Sequence, residues 1–146
     1  MRKILKNMAI GFACLLLLST SALAAENFSP LSSSYIYGTF SDIIPESNGK
    51  LLITFHLNSP APMTTLGASS IDIYENNGHT TKLVDTIYAT DSGYEHMMGD
   101  GTYHASNITF GGTVGYQYYA KVHFTARDNS GGDTATSTSP TVTAKR

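Results

Sequence analysis

One stretch, Gly115 to Ala126 (Gly-Tyr-Gln-Tyr-Tyr-Ala-Lys-Val-His-Phe-Thr-Ala), most constrains what this chain can fold into. Every second residue collects Tyr116, Tyr118, Ala120, Val122 and Phe124 on one face and leaves Tyr119, Lys121, His123 and Thr125 on the other. That is the period of a half-buried strand. Lys121 marks the wet face. A strand so apolar on one side needs a second layer of strands over it.

The rest of the chain supplies them. In Lys50 to Asn58, Leu51, Ile53, Phe55 and Leu57 point to the core, and Lys50, Thr54 and His56 point away. Ile71 and Ile73 give Ser70 to Glu75 the same alternation, and Asn77-Gly78 joins it to Thr80 to Tyr88. Asn-Gly favours a type I′ hairpin, so these two strands are expected to pair. Tyr35 to Phe40, His104 to Phe110 (Ile108 and Phe110 inward) and Thr134 to Thr143 complete the set, the last confined to an edge by Pro140. Pro60, Pro62 and Gly67 mark Ser59 to Ser69 as an irregular crossing between layers. Ser41 to Gly49 and Arg127 to Asp133 read as turns. Ala89 to Tyr103 runs 15 residues without sustained alternation. Structureless connections beyond about 12 residues are uncommon in compact domains, so this segment reads as a functional or mobile loop, or as one that contains a short edge strand. About seven short strands and no amphipathic helix predict an all-β, two-sheet β-sandwich.

Arg2, Lys3 and Lys6 precede an uncharged run from Met8 to Leu18, and Ala22-Leu23-Ala24 follows. This is the pattern of a secretory signal peptide cleaved after Ala24 or Ala25, giving a leader at 1–25 and one domain at 26–146. The 11-residue run is shorter than the ~20 residues of a membrane-spanning helix. Cys14, the single cysteine, lies in the leader, so neither a disulfide nor thiolate chemistry is expected afterwards. The remaining 121 residues hold six basic and eleven acidic side chains, a net charge of −5. The cations do not cluster except at Lys145-Arg146, which argues against nucleic acid or an anionic membrane surface as partner. A secreted monomer is expected.

The run from Gly115 to Tyr118, continuing as Tyr-x-Ala-x-Val-x-Phe to Phe124, resembles the penultimate strand of fibronectin type III and immunoglobulin-like domains. The resemblance implies that Tyr116 or Tyr118 closes a corner by hydrogen-bonding upstream backbone. The tryptophan of many such domains is absent. A narrower resemblance rests on Gly67 to Glu75, on Met97-Met98-Gly99 followed by Tyr103-His104, and on Gly112 to Gly115 running into Tyr118 to Val122. These segments resemble an uncharacterised family of small secreted proteins, a domain of unknown function, from Gram-positive bacteria. It implies secretion and a single β-domain, and carries no assigned activity or catalytic residues.

Five histidines, at 56, 79, 96, 104 and 123, invite metal or general-base chemistry. No pair has the helical spacing that puts two ligands on one face, and His56 and His123 fall on wet faces of strands expected in different sheets. No metal or other cofactor is expected. Asp128 to Asp133 lacks the spacing and distal glutamate of a calcium loop and reads as a hairpin turn. Asn107-Ile108-Thr109 is a formal sequon, expected to be unmodified in a bacterial protein. Serines are plentiful, but there is no Gly-x-Ser-x-Gly elbow. The candidate ligand-binding residues are Tyr94, His96, Tyr103 and His104, in a segment that also holds Asp91, Glu95 and Asp100. The competing reading makes Met97 and Met98 a plug for the core, with Tyr94 and Tyr103 shielding it. The expected function is a non-catalytic secreted module recognising an extracellular protein or glycan through exposed tyrosines. The alternative is a small secreted hydrolase or metal-dependent enzyme using His96 and His104. An envelope or matrix component assembling through strand edges is a third reading.

Overall fold

A computed structural model describes residues 29–30 and 33–146. The expected leader at 1–25 lies outside the described residues. The strands are β1 (Ser29–Pro30), β2 (Gly38–Pro45), β3 (Lys50–Asn76), β4 (Thr81–Tyr88), β5 (Met98–Gly111), β6 (Gln117–Arg127), β7 (Gly132–Thr138) and β8 (Val142–Thr143). All pairings are antiparallel, in the order β1-β2-β3-β6-β7, with β4 and β5 also on β3 and β8 also on β6. The protein is therefore all-β, built as a curled antiparallel sheet.

The curl comes from β3. Its first part, Lys50–Asn58, lies between β2 and β5, and its later part, up to Asn76, lies between β6 and β4. Ser59 to Ser69, expected as an irregular crossing, is instead the bent middle of one 27-residue strand. The register on β5 shifts between Asn58 and Met63 and again between Met63 and Leu66. Pro60 and Pro62, which have no N–H to give, sit in the unpaired span, and Gly67 takes φ +148° at the bend. The sheet rolls until its ends meet: the Ser41 and Ser137 hydroxyls hydrogen-bond at 2.8 Å between β2 and β7.

The interior holds the residues the alternation placed there. Leu51, Ile53, Phe55, Leu57, Ile71, Ile73, Ala120, Val122 and Phe124 are buried, and Phe55 meets Phe124 edge-on at 6.2 Å. Ala126 and Tyr118 extend that face, whereas Tyr116 precedes β6 and is exposed. The Asn77-Gly78 hairpin pairs β3 with β4 as expected, from Asn76 opposite Thr81. Its turn is not type I′, because Asn77 lacks the positive φ that type requires. The Asn77 side-chain oxygen instead accepts from the His79 and Thr80 amides, both at 3.0 Å, which closes a longer loop.

Candidate functional site

The segment from Ala89 to Tyr103 is shorter as a loop than its sequence predicts, because β5 begins at Met98. A 3-10 turn, Glu95–Met97, precedes it and drives Met97 fully into the core, with Tyr94 packed partly against it. The plug reading thus holds for Met97. The carboxylates of Asp91 and Glu95 are engaged locally, accepting from the Tyr88 and Gly93 amides at 2.9 Å each.

His96 and His104 fasten this turn to β5. The His104 Nε2–H donates to the His96 carbonyl at 3.1 Å, and the His96 Nε2–H donates to the Asn107 carbonyl at 3.0 Å. Such bonds fix the ring tautomer, since a carbonyl can only accept. The His104 ring also lies against the backbone of Gly67 and Gly99, where a Cβ at Gly99 would come within 2.5 Å of Nδ1. The signal for this was parity: His104 shares a strand face with Ile108, which is buried. Among the described residues, no group of three or more His, Cys, Asp or Glu side chains is placed to hold a metal.

Tyr103 has the opposite parity and leaves this cluster. The four candidate residues therefore divide between two places: Tyr94, His96 and His104 around the turn, and Tyr103 on the outer face of β2, β3 and β5. Tyr103 does not shield the core, being 55% exposed. There it meets Phe40, which the sequence does not single out, and His56, which it places on a wet strand face with no partner. Phe40, His56 and Ala105 are directly opposite one another across the three strands, as are Asp42, Thr54 and Asn107 in the next row. The Phe40 and His56 rings stack at 4.9 Å and 12°, and Tyr103 lies 5.7 Å from His56, tilted by 41°. Neither ring nitrogen of His56 has a hydrogen-bond partner among the described residues. Partial burial pushes the His56 imidazole below its ordinary pKa, so it is neutral at pH 7. A shallow depression of about 230 Å³ opens beside it, lined by Phe40, Thr54, His56, Ala105, Ser106 and Asn107.

In the other half of the sheet, β4, β3, β6 and β7, the outer-face histidine is paired within the sheet. On that face Asp72 accepts from Thr86 Oγ1 at 2.8 Å and meets His123 Nε2 at 3.0 Å, and His123 Nδ1 reaches Thr136 Oγ1 at 3.2 Å. Tyr74 and Tyr119 stack at 4.8 Å, with Lys121 Nζ 5.1 Å from the Tyr74 ring. Inside, Tyr118 donates to Glu75 at 2.5 Å and accepts from the Thr113 amide at 2.8 Å. The hairpin from Arg127 to Thr134 encloses a wider hollow of about 500 Å³. Asp128 is committed there to the turn, accepting from the Ser130 hydroxyl and the Ser130 and Gly131 amides, which holds its carboxyl below the usual range.

No protein-family description, no curated protein and no solved structure matches this chain. The geometry of the outer faces therefore carries the functional argument.

Proposed function

We propose that the protein is a secreted, non-catalytic β-sandwich module of the immunoglobulin and fibronectin type III kind that recognises an extracellular protein or glycan. The observation that carries the reading is the aromatic group Phe40, His56 and Tyr103, the first two half-buried and the third exposed, on one three-stranded face with the central imidazole unpaired among the described residues. Aromatic rings give contact area at little conformational cost, which suits a recognition surface. The sandwich assignment draws support from Tyr118, whose hydroxyl reaches back to the Thr113 amide as a corner tyrosine does. Secretion rests on the leader-like sequence of residues 1–25. Against the hydrolase alternative, His96 and His104 each use Nε2 to hold backbone rather than to face a common point.

The test is co-sedimentation of the purified protein with insoluble envelope material, before and after protease treatment of that material. The wild type is expected in the pellet. A His56→Ala/Tyr103→Ala variant is expected in the supernatant, with its thermal transition retained. Equal retention of the two proteins would remove the aromatic group as the recognition surface. Turnover of a polysaccharide or peptide that disappears in a folded His96→Ala/His104→Ala variant would replace the module with an enzyme.

A further inference from the structure

We propose that the depression beside Ala105, bounded by the Phe40–His56 stack and Asn107, seats one residue of a neutral glycan; this rests on the recognition-module reading and gives that module its ligand class. The shape follows from register. Ala105 is the short member of its row, opposite His56, and its same-face neighbours along β5 are Tyr103 and Asn107. A methyl floor between longer side chains leaves a hollow of about 230 Å³. Pockets that enclose drug-sized ligands begin at roughly 300 Å³, so this one fits a single ring with its neighbours lying along the surface.

The lining matches a sugar in both respects that matter. A pyranose presents an apolar C–H face and a rim of hydroxyl groups that donate and accept. The His56 and Phe40 rings supply the apolar wall, while Thr54 and Asn107 supply a hydroxyl and an amide at the rim. A neutral imidazole adds one donor and one acceptor, and both are unpaired among the described residues. These atoms are open to a ligand's hydroxyl groups, which a purely apolar ligand does not offer.

Charge selects the neutral class. Apart from the neutral His56, the residues lining the hollow bear no titratable side chain, and Asp42, in the adjoining row opposite Thr54, is the nearest charge that the register supplies. Asp42 already accepts from the Ile43 amide at 2.8 Å. An anionic sugar would meet a carboxylate and no cation. An extended peptide that adds a strand cannot use β3 here, because it is hydrogen-bonded on both sides, to β2 and to β5, from Leu51 to Asn58; it would add along the outer edge of β5, beside the hollow and not in it.

The experiment is an amide-resolved NMR titration of the isotope-labelled protein with cellotetraose, chitotetraose, mannotetraose, galactotetraose and, as the anionic probe, tetragalacturonate. The sugars are recovered afterwards and sized by chromatography. At least one neutral tetrasaccharide is expected to shift the amides of Thr54 to Leu57 and Ala105 to Asn107, and tetragalacturonate is expected to bind more weakly. Ala105→Leu fills the hollow from an exposed position, so folding should persist while affinity falls by about tenfold or more. Tyr74→Ala, on the other outer face, should bind as the wild type does. The glycan assignment is overturned if none of the neutral sugars moves these amides, if tetragalacturonate binds most tightly, or if Ala105→Leu binds unchanged. In each case the module reading still stands or falls on co-sedimentation. Recovery of shortened sugar would instead overturn the non-catalytic reading itself.

Discussion

His56 and His123 occupy equivalent places in the two halves of the curled sheet, each on the outer face of a strand with partners on both sides. Their surroundings differ. His123 bridges Asp72 and Thr136, so both nitrogens are used within the sheet. His56 lies between two aromatic rings, with neither nitrogen paired among the described residues. The second half also buries the Tyr118–Glu75 pair, while the first half is lined inside by Leu51, Ile53, Phe55 and Leu57. Residue type alone therefore does not distinguish the two histidines. What distinguishes them is the hydrogen-bonding capacity that His56 leaves open on the outer face.

The two halves can be compared only because β3 bends, and Gly67 sits at the bend. A Cβ there would overlap the Met97 carbonyl oxygen and lie 2.9 Å from Met98 Cα, at a φ of +148° that L side chains rarely adopt. Gly67→Ala is therefore expected to cost about 3 kcal/mol or more, the largest effect considered, read as a lowered denaturant midpoint. A midpoint equal to that of the wild type would show that the curl does not depend on this residue.

Tyr118→Phe attacks the second half alone. It strips Glu75 of a donor and the Thr113 amide of its acceptor, and about 2 kcal/mol should be lost at neutral pH. The pH profile identifies the cause. The Tyr118 hydroxyl, aided by the Lys82 ammonium and opposed by burial, holds the Glu75 carboxyl below its usual range. A folded value below the unfolded one gives stability that is complete above about pH 4.3 and is lost as pH falls through the folded value. Burial, then Glu75, raises the Tyr118 hydroxyl, so its contribution is complete below about pH 10 and is lost as pH rises through the folded value. Equilibrium unfolding across that range should show both limbs in the wild type. Tyr118→Phe should flatten the acid limb and remove this residue's alkaline one. An unchanged acid limb would mean the pair does not govern it.

Much of this was legible in the sequence because period-2 alternation reports which face is buried. It placed Tyr118, Ala120, Val122 and Phe124 correctly, and misplaced Tyr116 because that residue belongs to the turn its amide closes with the Thr113 carbonyl. Two segments resisted. The prolines of Ser59 to Ser69 signalled a break in pairing, which a bent strand satisfies as well as a loop does. The glycines near Met98 masked the start of β5, since Gly99 and Gly101 contribute no side chain to an alternation. Tyr103 was visible as a candidate binding residue, yet its neighbours Phe40 and His56 come from other strands. Only the register across β2, β3 and β5 brings them together, and no local pattern encodes it.

Asp72→Ala, in the second half, releases both Thr86 and His123. These groups are partly exposed, so a loss of roughly 0.5–1 kcal/mol is expected. A double-mutant cycle with His123→Ala, measured by urea unfolding, should return a coupling of about 0.5 kcal/mol. Zero coupling would mean that the Asp72–His123 contact contributes nothing, and the contrast with His56 would lose its energetic basis.

The smallest effect is expected at His56 itself. His56→Ala breaks no hydrogen bond among the described residues and loses only its ring contacts with Phe40 and Tyr103, together worth about 0.5 kcal/mol on a partly exposed face. Burial depresses the imidazole, so its contribution is complete above about pH 6.5 and is lost as pH falls through the folded value. The melting temperatures of wild type and His56→Ala should therefore converge between pH 7 and pH 5. If His56→Ala proves more destabilising than His123→Ala at pH 7, the stack is a structural device of the first half. The open nitrogens then lose their meaning as a recognition surface. If it is the milder change of the two and still abolishes retention on envelope material, the side chain that the fold needs least is the one that recognition needs most.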